Sequence, residues 1–111
     1  MKTQGWLRGL ISKNYPVEKY LEHVLSCIFR EFSLEGGFLK KESDFVIQVG
    51  IYTVYINQDK ARRLQKQSPY NLDKKILSCM ESQGFEFDKR RSQYIRYCFG
   101  YFYTREDNTV Y

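Results

Sequence analysis

The stretch QSPYNLDKKILSCMESQG (67–84) decides how the second half of this chain is read, because it carries helix signals at both ends. Ser68 belongs to a residue type that caps helices, since its hydroxyl accepts from the exposed N–H groups of a first turn. Pro69 suits the first helical position, where its missing N–H costs nothing. Leu72, Ile76, Leu77 and Met80 share one helical face,. Gly84 suits the left-handed conformation that ends a helix. The spacing predicts a helix opened by Ser68 and Pro69 and closed at Gly84, with Lys74, Lys75, Ser78 and Ser82 outward.

Upstream, NQDKARRLQKQ (57–67) predicts a short helix capped by Asn57, with Asp59 in its first turn,. Ala61 and Leu64 would face inward, and Lys60, Arg62, Arg63 and Lys66 would fan over the outside. The preceding GFLKKESDFVIQVGIYTVYIN (37–57) is rich in Val, Ile, Phe, Tyr and Thr and reads as extended,. Apolar residues occur at both parities, which fits two strands in succession or one strand buried on both faces. Phe38 to Lys40 pairs with Asp44 to Val49 as a hairpin, and Gly50 marks a bulge or turn before Ile51 to Ile56.

In YPVEKYLEHVLSCIFREFSLEGG (15–37), the residues Val17, Tyr20, Leu21, Val24, Leu25, Ile28, Phe29 and Phe32 form a continuous helical stripe,. Pro16 sits at its start and Gly36-Gly37 stops it. His23 falls on the polar face and reads as solvated. The opening MKTQGWLRGLIS (1–12) places Trp6, Leu7, Leu10 and Ile11 on one face, which predicts a short helix docking Trp6 and Leu10 on the core. A membrane-surface or partner-binding arm is the competing reading. At the other end, FEFDKRRSQYIRYCFGYFYT (85–104) reads as two strands around a basic turn at Asp88 to Gln93.

The expected fold is therefore α+β in a single domain. It comprises an N-terminal arm or short helix over 1–13, a globular core over 14–103 and a loose tail over 104–111. The core elements are a long N-terminal helix, a small antiparallel sheet, two shorter helices and a C-terminal hairpin. Leu21, Val24, Leu25, Ile28, Phe32, Val49, Leu64, Leu72, Ile76, Leu77 and Ile95 form the expected core.

Composition bounds the function. A chain of 111 residues with 42% hydrophobic and 28% charged residues is a folded domain rather than a disordered segment,. The net charge is +5, and the excess lies between residues 36 and 103 rather than in a tail, which suits a polyanionic partner. Three well-separated cysteines without a C-x-x-C pair suggest neither a zinc site nor a disulfide framework,. They point to a reducing, cytoplasmic setting. No apolar run is long enough to span a bilayer. A single histidine, scattered carboxylates and no phosphate-binding glycine loop argue against an enzyme,. Neither a metal, a cofactor nor a small-molecule substrate is expected.

Helix, tight turn, helix and hairpin is the element order of a winged helix, and residues 57–103 resemble such a module in that order. The resemblance implies a nucleic-acid-binding regulator. Its second helix would bring Lys74 and Lys75 to the major groove, Lys89, Arg90 and Arg91 would sit at the wing tip, and Arg62 and Arg63 would brace the backbone. Asp73 and Glu86 oppose this reading, because they would repel phosphates. The alternative is a protein-protein interaction module, an adaptor or an inhibitor, using Tyr94, Arg96, Tyr97, Tyr101 and Tyr103 as a Tyr/Arg-rich surface. Stacking of single-stranded bases on exposed Tyr97, Phe99 or Tyr101 beside Arg96 is a third possibility.

Overall fold

The hydrophobic stripe of residues 17–32 organises the molecule. In the computed structural model, which describes residues 4–101 and their side chains from residue 6 on, the stripe forms helix α2 (Val17–Phe32). Val17, Tyr20, Leu21, Val24, Leu25 and Ile28 are buried along it. Ser33 adopts the left-handed conformation that stops this helix, and its N–H donates to the Phe29 carbonyl,. Helix α1 (Gln4–Asn14) precedes it.

The apolar run that follows makes three strands, β1 (Gly36–Lys41), β2 (Asp44–Val49) and β3 (Tyr52–Asn57), in antiparallel order β1-β2-β3. Two strands in succession, rather than one strand buried on both faces, thus account for the apolar residues at both parities of 44–57. Phe45, Ile47 and Val49 of β2 and Val54 and Ile56 of β3 point into the core. Gly50 turns the chain between β2 and β3 with φ +59°. On the open face, Leu39, Val46 and Tyr55 stand in one cross-strand row.

Asn57 caps α3 (Gln58–Gln67), its side-chain oxygen accepting from the N–H groups of Asp59 and Lys60. Helix α4 (Asn71–Ser82) follows. Its start corrects the sequence reading, for Ser68 ends α3 in an extended conformation and Tyr70 precedes α4 without a side-chain cap. The residue before a proline is pushed out of the helical region, so Ser68-Pro69 acts as a joint.

Among the described residues the expected C-terminal hairpin is not present. Residues 93–99 form α5 (Gln93–Phe99), capped by Ser92, whose hydroxyl accepts from the Ile95 N–H at 3.1 Å, and closed by Gly100 at φ +79°. Tyr94, Ile95 and Cys98, spaced i, i+1 and i+4, are its buried residues. Strand-favouring side chains take a helix here because that spacing, not alternation, meets the core. Phe85 and Phe87 remain in the loop and pack edge-on against Phe32. Among the described residues there is thus no wing and no winged-helix order. What stands is a small α+β domain of five helices and one three-stranded antiparallel sheet. Leu64 and Phe32 pack on the core from its margin, and the other expected core residues are buried.

Candidate nucleic-acid interface

Helix α1 turns its polar side inward. Arg8 and Ser12 are buried, whereas Trp6, Leu7 and Leu10 are 47%, 49% and 42% exposed, so the expected docking of Trp6 and Leu10 on the core is reversed. The reason is electrostatic. Asp73 on α4 is wholly buried, and a buried carboxylate needs a cation and hydrogen-bond donors. Arg8 supplies both, with Nη1 2.5 Å from Asp73 Oδ1 and Nη2 2.9 Å from Oδ2. Tyr94 of α5 donates its hydroxyl to the same carboxylate.

Around this pair the Arg8 guanidinium lies 4.6 Å from the Tyr70 ring centroid and 5.6 Å from that of Tyr20. It also donates to the Pro69 carbonyl at 3.0 Å, and the Tyr20 hydroxyl donates to that carbonyl too. These bonds draw Pro69 into the joint. Burial opposes the charge of Arg8, but the Asp73 carboxylate more than offsets it and raises the guanidinium pKa further. Burial, then the Asp73 charge, pushes the Tyr20 hydroxyl up to about 12 and the Tyr94 hydroxyl well above its ordinary range. Asp73 is therefore not the repulsive surface charge expected beside a phosphate backbone. The network joins α1, α2, α4 and α5, and its members satisfy one another.

His23 is half-buried rather than solvated, with Nε2 3.7 Å from Cys27 Sγ. Burial and then the Arg8 charge lower its pKa. Among the described residues, no group of three or more histidine, cysteine or acidic residues is placed to hold a metal ion.

The structure redistributes the predicted basic site. Lys89 pairs with Glu81, and Arg91 with Glu31 at 2.8 Å. Arg90 lies 5.0 Å from the Tyr101 ring centroid. The cluster at 89–91 is thus partnered within the fold and does not form a free cationic tip. Arg62 pairs with Asp59 one turn away at 2.7 Å. Arg63, Lys74 and Lys75 are exposed and make no ion pair with a described residue.

Two cations that the sequence reading left out of the site join them. Arg62, Arg63, Lys66 and Gln67 line a shallow depression of about 330 Å³ on α3. Lys66 and Gln67 also border a second depression of about 340 Å³, together with Lys13 of α1, Ser68 and Pro69. Ser68, Pro69, Asn71 and Lys74 then line a cleft beside α4. The cations Arg62, Arg63, Lys66, Lys13 and Lys74 therefore follow one another over a continuous surface. Lys66 recurs at helical spacing from Arg62 and Arg63, a signal already present in the sequence. Lys13 reaches this surface only through the docking of α1, where Gln65 Nε2 donates to the Ser12 and Tyr15 carbonyls.

The alternative aromatic interface is dispersed. Tyr94 is buried, Arg96 donates to the Arg90 carbonyl, and the Gln93 amide donates to the Tyr97 hydroxyl. Tyr101 is 37% exposed under Arg90, and Tyr103 lies outside the described residues, as does the tail over 104–111. Comparison with known proteins gives no match: no family model, no curated protein and no solved structure is similar to this chain.

Proposed function

We propose that this chain is a non-catalytic regulatory protein that binds nucleic acid along the surface formed by α3, the end of α1 and the start of α4. The observation that carries the reading is the run of Lys13, Arg63, Lys66 and Lys74, exposed along three successive depressions that share lining residues, without an acidic ion-pair partner among the described residues. Adjacent like charges repel, and this repulsion is relieved when the cations meet phosphates and release the counterions condensed on the nucleic acid. A non-catalytic role is supported by the buried Arg8–Asp73–Tyr94 network, whose polar groups are spent on one another. A reducing, cytoplasmic setting is supported by the three free cysteines,. Among the described residues no helix is long and apolar enough to cross a membrane.

A fluorescence-anisotropy titration at two salt concentrations tests the reading. Arg63→Ala with Lys66→Ala should weaken binding similarly on all sequences. The log–log salt slope should become shallower by about 0.9 per lost phosphate contact on duplex DNA, or about 0.7 on single strands. Absence of binding to either form at low salt refutes it. A second reading, a protein-protein interaction module, is favoured by the Leu39–Val46–Tyr55 row on the open sheet face, where Leu39 and Tyr55 are exposed. Binding through that row would be lost in Tyr55→Ser and would be nearly insensitive to salt.

A further inference from the structure

The basic surface ends in a cleft. Ser68 and Pro69 border both the depression shared by α1 and α3 and a cleft of about 490 Å³ between the start of α4 and the end of α5. That volume lies within the range of small-ligand sites, roughly 300–1,000 Å³. Helix α4 contributes Asn71 and Lys74 to the lining, and α5 contributes Tyr97 and Phe99. Lys74 makes no ion pair with a described residue. The Asn71 amide spends an N–H on Gln67 Oε1 at 3.2 Å, which leaves its carbonyl oxygen to accept.

Tyr70 lines the same cleft and is nine-tenths buried. Its hydroxyl is shut off from solvent and has no hydrogen-bond partner among the described residues, so Tyr70 meets the cleft by its ring and not by its polar atom.

We infer that this cleft takes one unstacked nucleotide of a single strand, with the phosphate beside Lys74 and the base against the Tyr97 and Phe99 rings. The inference rests on the reading of the adjoining surface as a phosphate track and names the form of nucleic acid it serves. A base inside a duplex is stacked on both faces and cannot enter, whereas an unpaired base loses little by leaving its neighbours. Aromatic rings beside a cation suit a base joined to a phosphate. The Tyr70 ring, 5.4 Å from that of Tyr97, and the Gln93 amide, 3.1 Å from the Tyr97 hydroxyl, hold Tyr97 in place.

The test compares a short single strand carrying one fluorescent adenine analogue with its duplex. The single strand should bind about tenfold tighter or more, and the emission of the analogue should change on binding. Tyr97→Leu should abolish the preference while leaving the salt slope unchanged. Arg63→Ala with Lys66→Ala should instead flatten the slope for both forms. Equal affinities with unchanged emission overturn the cleft inference and leave the phosphate track standing. Failure of both forms to bind at low salt overturns the track and the cleft together. Should Tyr97→Leu fail to fold, the emission measured with the native protein decides.

Discussion

Replacing Asp73 by Ala should be among the most damaging single changes in this protein. Arg8 is 3% exposed and Asp73 0%, so the substitution leaves a guanidinium buried without its counter-charge and deprives the Tyr94 hydroxyl of its acceptor. Breaking a buried pair from one side costs about 3–5 kcal/mol, a large part of the roughly 5–15 kcal/mol by which a domain is stable. At roughly 4 °C per kcal/mol for a chain of this length, the thermal midpoint should fall by about 12–20 °C. The double substitution Arg8→Met with Asp73→Leu removes both charges and both desolvation costs. It should recover most of the loss, since apolar replacement of a buried pair is often neutral or stabilising. Thermal and urea unfolding followed by circular dichroism read both effects. Hydrogen exchange should show α1 losing protection first in Asp73→Ala, because Arg8 ties that helix to α4. A midpoint shift below about 4 °C for Asp73→Ala, or a double variant no better than the single one, would refute the reasoning.

Other outcomes follow from individual contacts. Gly36→Ala would place a Cβ 1.8 Å from the Gln48 carbonyl oxygen; the resulting shift of β1 should cost on the order of 1–3 kcal/mol in urea unfolding. Asn57→Ala should cost about 0.5–2 kcal/mol through its lost cap, whereas Ser68→Ala should leave the midpoint nearly unchanged because Ser68 ends α3 through its backbone and its hydroxyl does not cap α4. His23 has a folded pKa below its ordinary 6.5, first through burial and then through Arg8. Its contribution to stability is therefore present above 6.5 and declines as pH falls from there toward the lowered value, since the unfolded chain binds the proton more readily. His23→Gln should flatten that part of a plot of unfolding midpoint against pH. Replacing Lys89, Arg90 and Arg91 together with Ala should lower stability, because it breaks the pairs with Glu81 and Glu31, and should leave the salt slope of nucleic-acid binding unchanged.

Local spacing by itself determined the elements whose partners are near in the chain. The stripe from Val17 to Phe32 could bury its apolar side chains only as a helix. The hairpin of Phe38 to Lys40 with Asp44 to Val49 was legible from spacing, whereas Gly50 read equally as a bulge or a turn until its pairing showed a meander, and Asn57 marked the start of α3. Tertiary structure alone decided the rest. Arg8 and Asp73 lie 65 positions apart, so nothing in the apolar periodicity of α1 reveals that its arginine faces inward and its Trp6 and Leu10 outward. At Ser68-Pro69 the local bias against helix before a proline made the joint, and Arg8 and Tyr20, reaching from α1 and α2, hold the Pro69 carbonyl ahead of the start of α4 at Asn71,. Residues 93–99 favour strand by composition, yet Tyr94 must reach Asp73 and Ile95 and Cys98 must reach the core, which a helix achieves. The same long-range pairing sorted the cations. Glu81 and Glu31 engage Lys89 and Arg91, while Lys13, Arg63, Lys66 and Lys74 are left facing solvent. A count of charges along the chain records their number. Which of them meets an acid across the fold depends on how helices distant in sequence pack together.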